Sequence, residues 1–498
     1  MITAIEIENF KGFGKRQRIE LAPITFLFGA NSAGKSSLFQ ALFLLREIFE
    51  DPNAIPTKLS HFSDEIELGG FQHCIHNQQA DQRMSFKLHL TTTDRESGEE
   101  NEITFFPNFS NRVHSENRVN FTFGCDEIAI EIHIAGSDAM RAHVESFSLF
   151  FGEDKLVTLK AVINNAQACW DIDVDFDFTN LANNTHIDLP SDRDSPWTAM
   201  YHYSGAIPRE NDPILSSCSQ RNNRFVRHDK RELEFAQQMD VLLIASLKLA
   251  REALNDLLYI GPIRAVPSRE FEAQLKPAKY RWANGLAAWD CLHFVGAREI
   301  ERVNNCLGAN RLNLGVSIQQ ETWVKIGLDQ ADSQNHLRRL SIRPVNTRTK
   351  MKTKAILRVQ DVGFGISQVL PVVVALVVAK EGTVLVEQPE LHLHPKLQTE
   401  LGDLFISTCL RTERPKASVI ETHSEHLILR ILRRIREAAD DELPEHLPAI
   451  CPEDVAVNYF DRVGDAIVVT QLRINSEGEF IDNWPHGFFD ERIGEMYG

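Results

Sequence analysis

The sequence has no apolar run near the roughly 18 residues a membrane-spanning helix needs. The nearest candidate, Val369 to Ala379, is too short. The opening stretch, MITAIEIENFKGF, alternates polar and apolar residues and lacks the apolar centre of an export signal. No membrane partner and a cytoplasmic location are therefore expected. The eight cysteines are scattered from Cys74 to Cys451 with no Cys-x-x-Cys pair, which speaks against a zinc site or a disulfide frame. Basic charge is also in deficit. Lys and Arg number 53 against 70 Asp and Glu, a formal charge of −17, so most of the surface repels polyanions and nucleic acid would need a local basic patch. Helical stretches long enough for an extended coiled coil are missing too, so any arm must be short.

What is present suits a buried core: 43% of the 498 residues are hydrophobic. Residues 2–8 and 16–21 read as strands, and Ile24 to Phe28 is an apolar strand running into a glycine-bearing loop. The helix SSLFQALFLLREIF then places Leu38, Ala41, Leu42 and Leu45 on one face. Between about 80 and 180 the apolar period becomes two, as in Phe86, Leu88, Leu90 and Ile128, Ile130, Ile132, which indicates an antiparallel β-rich insertion. The polar stretch 190–228 reads as a long loop, and Lys230 to Leu258 and 285–307 as helices. Strands resume near 314–360. A buried helix from about 366, strands at Thr383–Glu387 and Ser418–Glu421, and helices from Pro395 and Ser424 complete the pattern. Strands alternating with helices predict an α/β fold with a mainly parallel sheet covered on both faces.

Gly29-Ala30-Asn31-Ser32-Ala33-Gly34-Lys35-Ser36 matches G-x-x-x-x-G-K-[ST], and it sits between an apolar strand and an amphipathic helix. Glycines at these positions let backbone N–H groups turn toward phosphate oxygens at a helix N-terminus. Lys35 is expected to reach the β- and γ-phosphates, and the Ser36 hydroxyl to ligate Mg²⁺. Thr383 to Glu390 is a buried strand ending in acids, where such an ATPase needs a carboxylate on its metal; Glu387 is that candidate.

Phe28 to Ser37, EQPELHLHP at 387–395 and ETHSEHL at 421–427 resemble the ABC-type branch of AAA-named ATPases, related to the SMC and overcoming-lysogenization-defect families. Asp361 to Gln368 is similar to their signature loop, and Asn483 to Asp490 to the tail domain of unknown function of one bacterial subfamily. The resemblance implies an ATP- and Mg²⁺-binding core that closes as a homodimer, or a higher oligomer built from dimers. Gly365, Ser367 and Gln368 would then cap the γ-phosphate held by the opposite subunit. His423 would be the switch histidine, Lys11 a basic residue near the nucleotide, and Gln72 the metal-contacting glutamine. Asn31, Ser32, Ala33 and Ser37 complete the phosphate loop.

The sequence departs from that pattern at Gln388, where the family usually places the acid that polarises water. An amide cannot take the proton, so hydrolysis is expected to be slow or to use Glu390. Two further clusters stand out. Asp171, Asp173, Asp175 and Asp177 share one face of a strand, as a solvated face or a metal row. Arg338, Arg339, Arg343, Arg348, Lys350, Lys352, Lys354 and Arg358 form a basic segment, read as a solvated hairpin or a nucleic-acid contact.

The expected organisation is an N-terminal half-core at 1–75, a β-rich insertion at 76–225, a helical arm at 226–310, a C-terminal half-core at 311–440 and a subdomain at 441–498. The resemblance further implies a sensor or scaffold for a protein effector in anti-phage systems such as PARIS. DNA-repair or recombination ATPase and nuclease-ATPase are the alternatives.

Overall fold

The structure, a computed structural model, describes residues 1–50, 70–92, 103–105, 119–136, 142–164, 169–185, 187, 189–190, 197–201, 205–208, 230–269, 271–277, 280–308, 311–324, 336–345, 356–358, 361, 363–378, 382–410 and 416–485. Strands β1 (Ile2–Glu8), β2 (Gln17–Glu20) and β3 (Ile24–Gly29) lead into α1 (Lys35–Glu50) and the short α2 (Phe71–Cys74). Next come β4 (Arg83–Thr91), β5 (Ile103–Phe105), β6 (Val119–Phe121), β7 (Glu127–Gly136), β8 (Ala142–Phe151), β9 (Asp154–Asn164) and β10 (Cys169–Phe176). These are followed by α3 (Phe178–Asn184), β11 (Trp197–Tyr201), α4 (Lys230–Asn255), β12 (Leu258–Ile260), α5 (Tyr280–Ala283), α6 (Leu286–Phe294) and α7 (Ala297–Leu307). The remaining elements are β13 (Val316–Val324), β14 (His336–Pro344), α8 (Phe364–Val378), β15 (Gly382–Glu387), α9 (Pro395–Cys409), β16 (Lys416–Glu421), α10 (Glu425–Ala439), β17 (Val455–Val463) and β18 (Ala466–Gln471).

Six strands form one sheet in the order β12-β15-β16-β3-β17-β18. All neighbours in it run parallel except β17 and β18. Its inner strands are apolar without alternation because helices cover both faces. Leu27, Leu385, Val419 and Phe460 face a core shared with α1 and α4, whereas Phe26, Phe28, Val384, Val386 and Ile420 face α8, α9 and α10. Helix α1 is buried well beyond the expected stripe, taking in Phe39, Phe43, Leu44, Ile48 and Phe49 as well. Packing on more than one side explains this: α1 contacts β3 and α4, and its core continues into the second large sheet.

That second sheet is antiparallel, in the order β11-β10-β9-β8-β7-β4-β1-β2. β1 pairs with both β2 and β4, so the sheet takes strands from both sides of residue 75. Two sequence expectations need correction. Trp197–Tyr201, read as loop, pairs with β10 as an edge strand. The single helix expected at 285–307 is two, divided where Val295 and Gly296 take extended backbone.

Asp173 and Asp175 are exposed on β10 opposite buried Ile172 and Val174, while Asp177 caps α3 by accepting the N–H groups of Thr179 and Asn180. No group of three or more His, Cys, Asp or Glu side chains placed to hold a metal ion occurs among the described residues. β13 and β14 form an antiparallel hairpin bearing Arg338, Arg339 and Arg343. Arg348, Lys350, Lys352 and Lys354 lie outside the described residues. No described helix is long and apolar enough to cross a membrane.

Candidate active site

β15, β16 and β3 are adjacent and parallel, and they end together, with Glu387 in register with Glu421 and Glu421 with Leu27. Ligands of open α/β sheets bind at such carboxyl ends. Gly29, at φ 136°, lets β3 lie so close to β17 that a Cβ there would sit 2.1 Å from the Phe460 carbonyl. Gly34, at φ 95°, leaves room for Ile467, whose Cδ1 a Cβ would meet at 2.0 Å. Between them Asn31 and Ser32 form an exposed tip, Ser32 at φ 65°. Ala33 is buried and its N–H donates to the Ala30 carbonyl, as that of Ser37 does to Gly34. Helix α1 starts at Lys35, so its N-terminal end faces the loop.

The Lys35 ammonium is buried, donating to the carbonyls of Gly29 at 2.9 Å and Ala30 at 3.0 Å. It lies 3.7 Å from a Glu421 carboxylate oxygen. Burial pulls its pKa down, against the pull of Glu421 upward. Ser36 donates its hydroxyl to the other Glu421 oxygen at 3.0 Å. Glu387 accepts the Tyr259 hydroxyl at 3.0 Å. Burial, and then the charge of neighbouring Glu421, push the Glu387 carboxyl up to about 7.

Gln388 follows in the left-handed region, φ 44°, uncommon for a residue with a side chain. Its N–H donates to the Glu421 carbonyl at 2.7 Å. The Glu390 carboxylate accepts the His423 N–H at 2.9 Å, and burial raises its pKa. The His423 ring lies 3.5 Å from the Lys35 nitrogen, and burial, then that positive charge, lower its pKa. The structure therefore brings Lys35, Ser36, Glu387, Gln388, Glu390 and His423 to one edge.

The signature residues approach the same edge from α8. A Cβ on Gly365 would meet the His392 carbonyl at 3.2 Å. Ser367 and Gln368 are buried within their own subunit, and Gln368 is engaged with Arg264. Lys11 lies half-buried, with φ 49°, beside Cys74. The turn that carries it reaches the phosphate loop through Ile467, since a Cβ on Gly12 would also meet that side chain, at 2.6 Å. Gln72 is exposed on α2, which is tied to this turn by the bond from the Lys11 N–H to the Cys74 carbonyl.

A hydroxyl and two carboxylates at the foot of a phosphate loop are hard oxygen donors. Such a set fits Mg²⁺, which takes one or two carboxylates and completes its shell with water and substrate phosphates. Ser36, Glu387 and Glu421 would hold it. When bound, the ion neutralises charge on the phosphate oxygens. Lys35 adds a fixed cation at the loop, and the Gln388 amide can orient a water through its carbonyl oxygen without taking a proton.

Three residues of the site were not singled out from sequence. Glu421 is one; the signal was available, since it ends an apolar strand parallel to the one ending in Glu387. Tyr259 and Arg264 lie at and just beyond β12, a three-residue strand that carries no motif.

Residues 1–225 match the family described as "AAA ATPase domain". Residues 292–430 match "AAA domain, putative AbiEii toxin, Type IV TA system". Residues 450–497 match "Protein of unknown function (DUF3696)". No curated protein matches the chain. Similar solved structures include an SMC head bound to the C-winged helix domain of ScpA, 10% identical, covering 95% of this chain and 98% of the other at TM-score 0.42. An SMC head domain from Thermotoga maritima is 7% identical, covering 95% and 99% at TM-score 0.38. An SMC head with an extended coiled coil, bound to the C-terminal domain of ScpA and derived from Pyrococcus furiosus, is 10% identical, covering 95% and 96% at 0.38. Likeness of this size says nothing of substrate or partner. With AAA-type ATPase segments matched on both sides of the chain, and the phosphate loop and paired acids brought together between them, the chain is a P-loop ATPase of the AAA type.

Proposed function

We propose that this ATPase binds ATP with Mg²⁺, hydrolyses it slowly, and closes head-to-tail as a dimer around the nucleotide, its ATP occupancy acting as a switch for a protein partner. The observation that carries the reading is the pairing of Glu387 and Glu421 in register beside Lys35 and Ser36, with an amide, Gln388, where a base is needed. A site that holds ATP well and turns it over slowly suits a sensor or scaffold better than a motor, because occupancy rather than flux sets the conformation. The match to a model described as a putative AbiEii toxin domain of a type IV toxin–antitoxin system is in keeping with a role in anti-phage defence alongside an effector.

The nucleotide part is tested by binding of labelled ATP to Lys35→Ala. Removing one charged hydrogen-bond donor from the phosphates should weaken binding by roughly 10- to 100-fold. Binding as tight as that of the parent would overturn the assignment. The defence part is tested by native capture in ATP from infected and uninfected cells, where an infection-dependent effector is expected and a stable repair complex would contradict the reading.

A further inference from the structure

Arg264 is buried to 2% exposure just beyond β12, at a place where a large apolar side chain would be the simpler occupant. Every bond it makes joins two parts of the site. Its Nη1 donates to the carbonyl of Gln368, in the first turns of α8, at 3.2 Å. Its Nη2 donates to the carbonyls of Glu387, at 2.5 Å, and Gln388, at 3.4 Å. The Gln368 side chain clasps the Arg264 backbone in return: its Nε2 donates to the Arg264 carbonyl at 2.8 Å, and its Oε1 accepts the Arg264 N–H at 3.4 Å. Packing fixes the arginine from behind, since a Cβ on Gly285 would meet the Arg264 Cβ at 3.2 Å and Pro371 at 3.0 Å. The guanidinium Nε is buried with no hydrogen-bond partner among the described residues, while its two outer nitrogens are bridged.

We propose that Arg264 is a positioning residue which transmits the placement of the signature end of α8 to the Glu387–Gln388 peptide, and so sets the aim of the Gln388 amide. The inference rests on the ATP-engaged dimer proposed above for what moves α8, but the link itself lies within one subunit. A guanidinium is suited to the task because its planar fork reaches two carbonyl groups on different elements at once, whereas a lysine ammonium is a single point. Small displacements at the start of α8 then become displacements of the peptide beside the attacking water. Arg264 touches neither nucleotide nor water in this scheme.

The test is a double-mutant cycle on Arg264→Met and Gln368→Met in the full chain, reading kcat, labelled-ATP affinity and thermal unfolding. Each single variant should lose about 10- to 100-fold in single-turnover hydrolysis, the scale of a misaimed reacting group, and Arg264→Met should keep ATP affinity within about threefold. The double variant should lose less than the product of the two single losses, because the two variants loosen one junction from opposite sides: the guanidinium holds the Gln368 carbonyl and the Gln368 amide holds the Arg264 backbone. Arg264→Lys should behave like Arg264→Met rather than rescue it. Unchanged rates, rate losses matched by equal losses of ATP affinity, or losses that multiply in the double variant would each overturn the proposal. If Arg264→Met fails to fold, Arg264→Lys takes its place: a fall in rate at constant ATP affinity supports the link, and an unchanged rate contradicts it. Sedimentation of the wild type in ATP reports on the dimer separately, so loss of that reading leaves the cycle interpretable.

Discussion

Ser36, at the start of α1, donates its hydroxyl to Glu421, at the end of β16, across 385 residues of sequence. That bond marks where the two ends of the chain become one site. Glu421 in turn lies in register with Glu387 and raises its pKa, so charge and protonation are coupled across two adjacent strands.

The coupling has a consequence for stability. In the folded protein the Glu387 carboxyl titrates at about 7, against 4.5 ordinarily, so between those values the folded protein keeps a proton that the unfolded chain has released. Stability from this residue is therefore lost as pH rises through the window, by roughly 1–3 kcal/mol in all. His423 acts oppositely: its folded pKa is lowered, so the unfolded chain binds the extra proton and stability rises as pH approaches 6.5. The difference between wild type and Glu387→Gln isolates the first effect. Urea unfolding without nucleotide, from pH 5 to 7.5, should show the wild type losing ground to the variant, and parallel curves would contradict the account.

Gln388 is expected to limit turnover. A positioned general base contributes about 10²- to 10⁴-fold, so Gln388→Glu should raise single-turnover hydrolysis at least about tenfold if its carboxylate takes the amide's place. Glu390 is turned toward the His423 backbone, which makes it a loop clamp as placed. Glu390→Gln should change the rate less than Gln388→Glu does. Fast wild-type hydrolysis, insensitive to Gln388→Glu and abolished by Glu390→Gln, would make Glu390 the base.

Much of this was legible in sequence because the informative signals are local. The phosphate loop needs glycines at fixed offsets, and the strands at 24–28, 383–387 and 418–421 are short apolar runs that only a sheet covered on both faces can bury. Glu387 was found because it ends such a run beside a motif. Arg264 and Tyr259 escaped because their partners lie more than 100 residues away and their own segment has no periodicity. The strand at Trp197–Tyr201 was missed because its polar flanks outweighed five residues that only an existing sheet edge makes extended. The joining of β1 to β4 was equally out of reach, since pairing across residues 51–69 follows from tertiary packing rather than turn chemistry.

Ile467 is the floor beneath the phosphate loop. It is buried against Gly12 and Gly34, and its N–H donates to the Gly12 carbonyl at 2.7 Å. Ile467→Ala should cost about 2–5 kcal/mol and Ile467→Val about 0.5–1.5 kcal/mol in denaturant unfolding. ATP affinity should fall with the alanine variant, because the loop loses its support, and hold with valine. ATP affinity unchanged in Ile467→Ala would separate the hairpin of β17 and β18 from nucleotide binding.

The proposed switch depends on ATP joining two copies of the chain through the signature face. Ser367 is fully buried, so a large residue there would disturb the fold, whereas Gly363, just ahead of α8, is exposed and a Cβ added to it meets nothing within 4 Å among the described residues. Sedimentation velocity of the wild type and Gly363→Arg, each with ATP and Mg²⁺ and with ADP, is the measurement. The wild type should sediment as a dimer or larger in ATP and lighter in ADP, while Gly363→Arg binds labelled ATP normally and stays light in both. A wild type indifferent to ATP, or a Gly363→Arg variant that associates as the parent does, would contradict the ATP-gated head-to-tail dimer.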